Sequence, residues 1–334
     1  MGQPPQVPIP DQLVNLDIEQ VFNANKPAGT KALLGAIAEK RKAEILSLVL
    51  IDFLPVNPML AGDVLLNLEP VILGLGKVRK LVLFLRSTGG VAEIPWRIVS
   101  VLRSFCEEFE VVIPRGAMSG ATHIALGADN IVMTPLSCLG SVDPSRAHAL
   151  LTDRQGNPLM LSVQDLKHCL QFLKRNVPKR EMGDLLGKLF TNVSPLVIGA
   201  LEESYELSRL ITSKVLGTRK NKLPASQVKD IVDRLAGKYC SHGYPVSRSE
   251  VQSELRLPVT EANPGDPLFD AIESLNGYYM GVFEKEVPVS TGPMPLSFKI
   301  TGFIENALSR RIMCQIFAPN AQPVAAAWMK EANS

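Results

Sequence analysis

The chain lacks the cysteine patterns that hold disulfide-rich or zinc-binding proteins together. Its five cysteines stand at positions 106, 138, 169, 240 and 314, an odd number with no C-x-x-C pair. Neither a disulfide framework nor a zinc site is predicted, and no two of the four histidines have metal-ligand spacing. We therefore expect a reducing compartment, no bound metal and no cofactor.

Charge of one sign and long apolar runs are also scarce. The 334 residues carry 35 Lys and Arg against 33 Asp and Glu, so the net charge is only +2 and no nucleic-acid partner is indicated. No apolar run reaches about 18 residues, and no basic segment followed by an apolar run opens the sequence. These absences predict a soluble, cytoplasmic protein without stable membrane insertion.

What the chain does have is apolar material, at 46% of its residues, arranged in a repeat. Continuous apolar segments alternate with helical patterns; the segments are 45–51, 81–85, 111–113 and 131–133, and the helical patterns are 60–75, 91–105 and 119–126. Continuous rather than alternating apolar strands indicate a parallel sheet covered on both faces. The chain is therefore predicted to have an α/β fold.

The flanking segments differ from this repeat. Residues 1–30 are rich in Pro, Gln and Asn, and a basic helix is predicted at 30–42. From 145 onward the pattern becomes helical, and the last forty residues contain a possible strand at 298–300 and a helix from Glu305. We divide the chain into an arm with a basic helix (1–44), a central domain (45–260) and a C-terminal extension (261–334).

Ser119 lies in a tight turn between the third strand pattern and its helix. Backbone N–H groups at a helix start have no intrahelical partner, and they can stabilise an oxyanion. A matching turn, Ser87-Thr-Gly-Gly90, follows the second strand pattern. Two such turns side by side would supply a nucleophile and its oxyanion donors. The structural alternatives are that Ser119 only caps the helix and that the glycines only permit positive φ.

Four motifs, in this order, resemble the Clp protease and crotonase superfamily. They are Ser87-Thr-Gly-Gly90, Pro114-Arg-Gly-Ala-Met-Ser-Gly-Ala121, Gly127-Ala-Asp-Asn-Ile-Val-Met133 and Leu139-Gly-Ser-Val-Asp-Pro144. Within the superfamily they look most like the signal peptide peptidase A branch. The nearest resemblance, over roughly residues 45–260, is to the serine dehydrogenase proteinase family.

The resemblance implies a serine peptidase that acts through an acyl-enzyme. Its fold would be a spiral of ββα units with a parallel sheet and C-terminal helices packed on it. Ser119 would be the nucleophile, and the N–H of Gly120 with that of Gly89 or Gly90 would form the oxyanion hole. A peptide or protein substrate and a homo-oligomer are implied in the same way. One departure is the pair after the serine, which is Gly-Ala here and Ala-Gly in the family.

The general base is harder to assign. Asp143 stands where the Clp branch has a histidine, but a carboxylate is too weak a base for serine unless burial raises its pKa. The signal peptide peptidase A branch uses a lysine further along the chain, and Lys167 and Lys174 lie at a comparable distance after Ser119. Both fall at the edge of the apolar stripe of one predicted helix, where burial would lower a lysine pKa. The structural alternative is that both extend from the helix rim into solvent.

Among the histidines, His242 is the candidate base, because it lies in a loop that resembles a family segment, Ser-His-Gly-Tyr-Pro-Val at 241–246. The structural alternative for His242 is a loop histidine bonded to backbone. His123, one turn into the helix after Ser119, is predicted to pack in the core. His148 and His168 have no supporting pattern.

Two other functions compete with a peptidase. The first is a catalytically inactive scaffold or assembly protein that keeps the turns and has lost its base. The second is a crotonase-type enzyme acting on acyl-CoA, in which the two turns hold the oxyanion and no nucleophilic serine is needed. Labelling by a fluorophosphonate separates the peptidase from both.

Overall fold

The structure is a computed structural model that describes residues 17–52, 58–152, 158–239, 241–290, 295–318 and 323–333. Its strands are β1 (Glu44–Leu50), β2 (Val78–Arg86), β3 (Cys106–Ile113), β4 (Gly116–Ala117), β5 (Asn130–Met133), β6 (Cys138–Gly140), β7 (Ser145–Thr152), β8 (Pro158–Ser162), β9 (Pro245–Ser247), β10 (Val259–Glu261), β11 (Val287–Ser290), β12 (Pro295–Asn306), β13 (Ser309–Phe317) and β14 (Pro323–Ala332). Its helices are α1 (Ile18–Ala24), α2 (Lys31–Arg41), α3 (Gly62–Leu75), α4 (Ile94–Phe105), α5 (Gly120–Leu126), α6 (Val163–Asn176), α7 (Lys179–Asn192), α8 (Pro195–Leu216), α9 (Ala225–Asp233), α10 (Arg248–Ser253) and α11 (Pro267–Phe283).

The centre of the fold is the parallel part of a nine-stranded sheet, in the order β10-β5-β3-β2-β1. Leu83 of β2 lies between Leu46 of β1 and Val111 of β3, and each of these pairings is parallel. Apolar residues fill these strands without alternation; all of β1 except Glu44 is buried. The α/β fold with a parallel sheet, predicted from the continuous apolar segments, is confirmed.

Antiparallel strands extend the sheet beyond β1 in the order β12, β13, β14. The strand predicted at 298–300 lies within β12. The helix predicted from Glu305 is wrong, because Glu305 belongs to β12 and the strand β13 follows it. Alternate β13 residues face the core, with Ile312, Cys314 and Ile316 fully buried. This two-residue period is typical of a strand. The boundaries at 44 and 260 stay predictions; β12 to β14 belong to the same sheet as β1.

Helices cover both faces of the parallel strands, as continuous apolar strands require. On one face, alternate strand residues such as Leu83 and Val111 pack with α3, α4, α5 and α8. On the other face, residues such as Phe84 and Val112 pack with α2 and α11. The sheet is therefore the middle layer of three.

A second, small sheet joins the segments around Ser119. β4 pairs in parallel with β6, and β6 pairs antiparallel with β9, which places Leu139 beside both Ala117 and Val246. The helical pattern predicted from 145 begins only at Val163, because β7 and β8 first form a two-stranded hairpin. α6 then starts with a capping box in which Ser162 and Asp165 exchange hydrogen bonds.

Within the ranges given above, no single helix combines the length and the apolar character needed to cross a membrane. The helical segments Lys179–Thr191 and Pro195–Leu216, bent by 85°, meet that test of length and composition only as a pair.

His123 of α5 is buried against α8. Its Nε2 lies 3.0 Å from the Thr212 hydroxyl, which itself donates to the Ser208 carbonyl, so Nε2 is assigned as the donor to Thr212. Burial lowers the pKa of His123 to about 4. His123 is therefore a packed core residue, as expected from its position one turn after Ser119.

The folded-state pKa of His123 lies below its unfolded value, so its contribution to stability is present above about pH 6.5 and is lost as the pH falls toward 4. We expect this group to remove about 3 kcal/mol of unfolding free energy at pH 4 relative to pH 7. Urea unfolding across this range should show the loss in the wild type and in the control His168→Gln, whose side chain is exposed on α6. His123→Gln should lack it, and parallel pH curves for all three proteins would refute the assignment.

Candidate active site

Two turns meet where β2 and β3 end. The Ser87 N–H donates to the Gly116 carbonyl at 3.4 Å, and the Met118 N–H donates to the Ser87 carbonyl at 2.9 Å. These bonds form a parallel bridge between Ser87 and Ala117. The carboxyl ends of neighbouring parallel strands share one edge of a sheet, where ligands commonly bind. The turns 87–90 and 114–121 are thus side by side.

Ser119 has a backbone conformation that few side chains adopt. Its φ is 49° and its ψ is −116°. Backbone strain of this kind, about 1–3 kcal/mol, persists mainly at functional sites, and a sharp strand-to-helix turn is how hydrolases expose a nucleophilic serine. Ser119 stands at the N-cap of α5 but its side chain makes no capping hydrogen bond. The capping alternative is therefore not supported.

The glycines allow the two turns to touch. Gly89 has a φ of +103°, and a Cβ built on it would lie 2.8 Å from the Ser119 Cβ and 2.7 Å from the Gly120 nitrogen. A Cβ on Gly90 would lie 2.3 Å from the Leu60 carbonyl oxygen. Contacts this short exclude any side chain at either position. Gly89 and Gly90 are required by close approach, and Gly89 also by its φ.

Hydrogen bonding distinguishes the two glycines that the sequence left open. The Gly89 N–H donates to the Ser87 hydroxyl at 3.1 Å, so it is already occupied. A Cβ built on Gly120 would lie 3.4 Å from the Gly90 nitrogen, so Gly90 has its amide nitrogen next to Gly120.

The two candidate lysines lie on α6. Lys167 is half-buried, with its Nζ 4.0 Å from the centre of the Tyr205 ring. Lys174 is exposed in the last turn of the helix. In the described part of the single chain, no lysine amine or imidazole hydrogen-bonds the Ser119 hydroxyl. The two lysines thus differ in burial, and among the described residues neither of them hydrogen-bonds Ser119.

Asp143 is the centre of a polar cluster close to the small sheet. It is buried, at 2% exposure, and its Oδ1 has no hydrogen-bond partner among the described residues. Burial raises the pKa of the Asp143 carboxyl to about 6, although a hydrogen bond to Ser162 and the charges of His242 and Lys167 lower it. Asp143 therefore has the raised pKa that a carboxylate needs before it can act as a base toward serine.

His242 belongs to this cluster through its backbone contact. The side chain is exposed, and Nδ1 hydrogen-bonds the Asp143 carbonyl. From the sequence, Asp143 is set aside because a carboxylate is too weak a base for serine unless burial raises its pKa, and the sequence does not show that burial. Its position 24 residues after Ser119 was the available signal.

Of the remaining histidines, His168 is exposed on α6, and His148 lies in β7, where the side chains are outside the described residues. Across the described ranges, no group of three or more His, Cys, Asp or Glu side chains has an arrangement that could hold a metal ion.

Comparisons with known proteins match the central part of the chain. Residues 75–150 match the model of the ClpP-like SDH-type serine proteinases. An uncharacterized protein of Methanocaldococcus jannaschii is 40% identical over 62 residues, which are 19% of this chain and 22% of that protein. The chain thus spans about a fifth of the length of this curated relative.

Two solved structures, both variants of the 1510-N membrane-bound stomatin-specific protease, show weaker likeness. One, in complex with a substrate peptide, is 13% identical, with a TM-score of 0.37 over 63% of this chain and 77% of that chain. The other is 12% identical, with a TM-score of 0.38 over 70% and 84% of the two chains.

The matched residues 75–150 contain both turns and Asp143. The family resemblance predicted from the four motifs is therefore confirmed over this segment, which is similar to the ClpP-like SDH-type serine proteinases.

Proposed function

We propose that this protein is a serine peptidase that cleaves peptide bonds through an acyl-enzyme on Ser119. The observation that carries the proposal is the backbone of Ser119, which has a positive φ although the Ser119 hydroxyl makes no capping hydrogen bond to α5. The serine proteinase family matched by residues 75–150 supports the reaction class. A strained serine without a structural hydrogen bond is what a nucleophile requires.

In this mechanism the Ser119 Oγ attacks the carbonyl carbon of the scissile peptide bond while a base accepts its proton. The negative charge that develops on the carbonyl oxygen is stabilised by the N–H groups of Gly90 and Gly120. The base then protonates the leaving amine, the C–N bond breaks, and water hydrolyses the acyl-enzyme. Each donor of an oxyanion hole contributes about 3–4 kcal/mol to the transition state.

We assign the base to the cluster around Asp143. The charges of Lys167 and His242 both lower the pKa of the Asp143 carboxyl, and His242 also hydrogen-bonds the Asp143 backbone carbonyl. These contacts support one shared site for two of the three candidates from the sequence. Lys174 is exposed at the far end of α6 and lies outside this cluster. A proton acceptor that works near neutral pH needs such a partly desolvated, charge-coupled environment.

A homo-oligomer is part of this proposal. Large apolar side chains are exposed on the helices after the β7–β8 hairpin; they include Phe172 at 64%, Phe190 at 47% and Leu196 at 74%. Exposed apolar residues of this size commonly mark association surfaces. A cytoplasmic location also stays a prediction, consistent with four free cysteines at positions 106, 138, 169 and 314.

Replacing the proposed nucleophile should separate catalysis from folding. Ser119→Ala should abolish fluorophosphonate labelling and lower peptide hydrolysis by several orders of magnitude, because only binding and oxyanion terms remain. Its melting temperature should stay close to that of the wild type, because the Ser119 hydroxyl makes no capping bond. Ser100→Ala, which removes a hydroxyl bonded to the Trp96 carbonyl, should still be labelled. An unlabelled wild type would instead favour the inactive scaffold.

The base should be revealed by single substitutions at the three candidate positions. Lys167→Ala or His242→Ala should approach the loss seen in Ser119→Ala, because one of these groups accepts the serine proton. Lys174→Ala, on the same helix as Lys167 but exposed, is the matched control and should keep most activity. A loss confined to Lys174→Ala in labelling assays would show that the cluster assignment is wrong.

Asp143 should also leave a signature in the pH dependence of stability. Its folded-state pKa lies above the unfolded value, so its contribution is present below about pH 4 and is lost as the pH rises through 6. Asp143→Asn should therefore melt at a higher temperature relative to the wild type at pH 7 than at pH 4. Asp184→Asn, an exposed change on α7, should show no such trend. An equal difference at both pH values would exclude a raised pKa at Asp143.

A further inference from the structure

An arginine stands at the start of each of the two turns of the candidate site. Arg86 is the last residue of β2 and immediately precedes the turn 87–90, and Arg115 follows β3 as the second residue of the turn 114–121. Arg86 lies outside the four motifs, and Arg115, which lies within one of them, has no role predicted from the sequence. Both side chains reach the face of the sheet that α11 covers.

One face of α11 receives both arginines. The Glu273 carboxylate accepts two hydrogen bonds from Arg115, each of 2.7 Å. The Asn276 side-chain oxygen accepts from Arg86 Nη1 at 2.8 Å. Residues three apart on a helix lie on the same side, so one rigid helix holds the last residue of β2 and the segment after β3 at a set separation.

The Arg86 side chain is buried, and each of its three nitrogens donates a hydrogen bond. Arg86 is 8% exposed and Asn276 is 4% exposed. The Asp52 carboxylate, just after β1, accepts from the Nε and Nη2 atoms of Arg86 at 2.9 and 2.7 Å. Nη1 then depends on Asn276, and loss of that acceptor would leave a buried guanidinium N–H unpaired, which is costly.

The distance held by α11 is the one on which the proposed chemistry depends. A Cβ built on Gly89 would lie 2.7 Å from the Gly120 nitrogen, so the two turns touch at this point. In the proposed mechanism the Gly90 and Gly120 amides bind one oxygen atom. A misplacement of about 1 Å in such a site can lower the rate about 100-fold. A helix fastened to both turns is therefore placed to control their geometry.

We propose that Glu273 and Asn276 are positioning residues, through which α11 sets the spacing of the nucleophile turn and the oxyanion turn. The proposal rests on the proposed function for its catalytic consequence, but its structural part stands on the contacts of Arg86 and Arg115 alone. Neither residue contacts the reacting atoms; both act through the arginines. This makes α11, which lies outside the segment matched by the family model, part of the catalytic apparatus.

The test compares Glu273→Gln and Asn276→Leu with Ser274→Ala, an exposed change on the same helix. The probe is a fluorophosphonate, and its maximal labelling rate is separated from the concentration that gives half that rate. The maximal rate should fall about 10- to 100-fold in both variants, with the half-saturating concentration unchanged, since positioning acts on the reaction and not on probe binding. Ser274→Ala should match the wild type.

A charge exchange provides the rescue. Arg115→Glu and Glu273→Arg should each slow labelling, and the double variant should recover most of the wild-type rate because it restores the ion pair. Recovery in the double variant shows that the slow labelling of the single variants comes from the broken ion pair. Wild-type rates in all single variants, or no recovery in the double variant, would overturn the proposal.

Amide hydrogen exchange separates this inference from the proposed function. In Glu273→Gln and Asn276→Leu, exchange should rise in the turns 87–90 and 114–121 while the core strands stay protected. If the wild type is never labelled but this local exchange rises, the peptidase assignment fails and the positioning role stands. If the wild type is labelled and the turns exchange as before in both variants, the positioning role is wrong.

Discussion

The parallel pairing of β2 with β3 is the constraint on which the candidate site depends. Because these strands end at the same edge, Ser87 pairs with the segment Gly116–Met118, and the two turns that follow are forced together. The gap between them is so narrow that only glycine fits at 89, and the Leu60 backbone leaves no room for a side chain at 90. Ser119 then takes a strained conformation because the chain must leave this pairing and enter α5 within one residue. The backbone geometry of Ser119 is thus a consequence of strand register.

The buried carboxylates Glu110 and Asp143 differ in the number of hydrogen-bond partners that they have and in the direction of their pKa shifts. Glu110 is buried but accepts bidentate bonds from Arg41 and a further bond from Asn130, and these partners help to lower the pKa of its carboxyl despite burial. Asp143 is as buried but has one oxygen without a partner among the described residues, and burial raises its pKa. A buried carboxyl with one oxygen left without a partner is expensive to keep, and such groups are common at functional sites. The contrast separates the Asp143 cluster from the Arg41–Glu110 ion pair of the same fold.

The C-terminal strands show where reading a sequence locally fails. The local sequence after Glu305 does not rule out a helix. The chain forms β12 and β13 instead, because β12 pairs with the open edge of β1 and β13 then pairs with β12. Edge pairing is decided by a strand more than two hundred residues away in sequence, and strand preference depends on such context more than helix preference does. The same strands carry the buried pair of Arg310 with Glu305, whose oxygens also receive the Tyr279 hydroxyl of α11.

Sequence by itself determined the parallel core, the position of Ser119 after its strand, the glycine turns and the family resemblance over residues 75–150, because these depend on local composition and short spacing. It also placed His123 in the core, because most of the neighbouring residues on its predicted helix are apolar. Tertiary structure decided which glycine amide lies next to Gly120, whether Asp143 is buried, and which helix contacts both turns. These depend on groups far apart in the chain, such as Glu273 and Arg115, whose encounter no local pattern records. Burial and contact are properties of the packed molecule, and the pKa values and the strain that make chemistry possible follow from them.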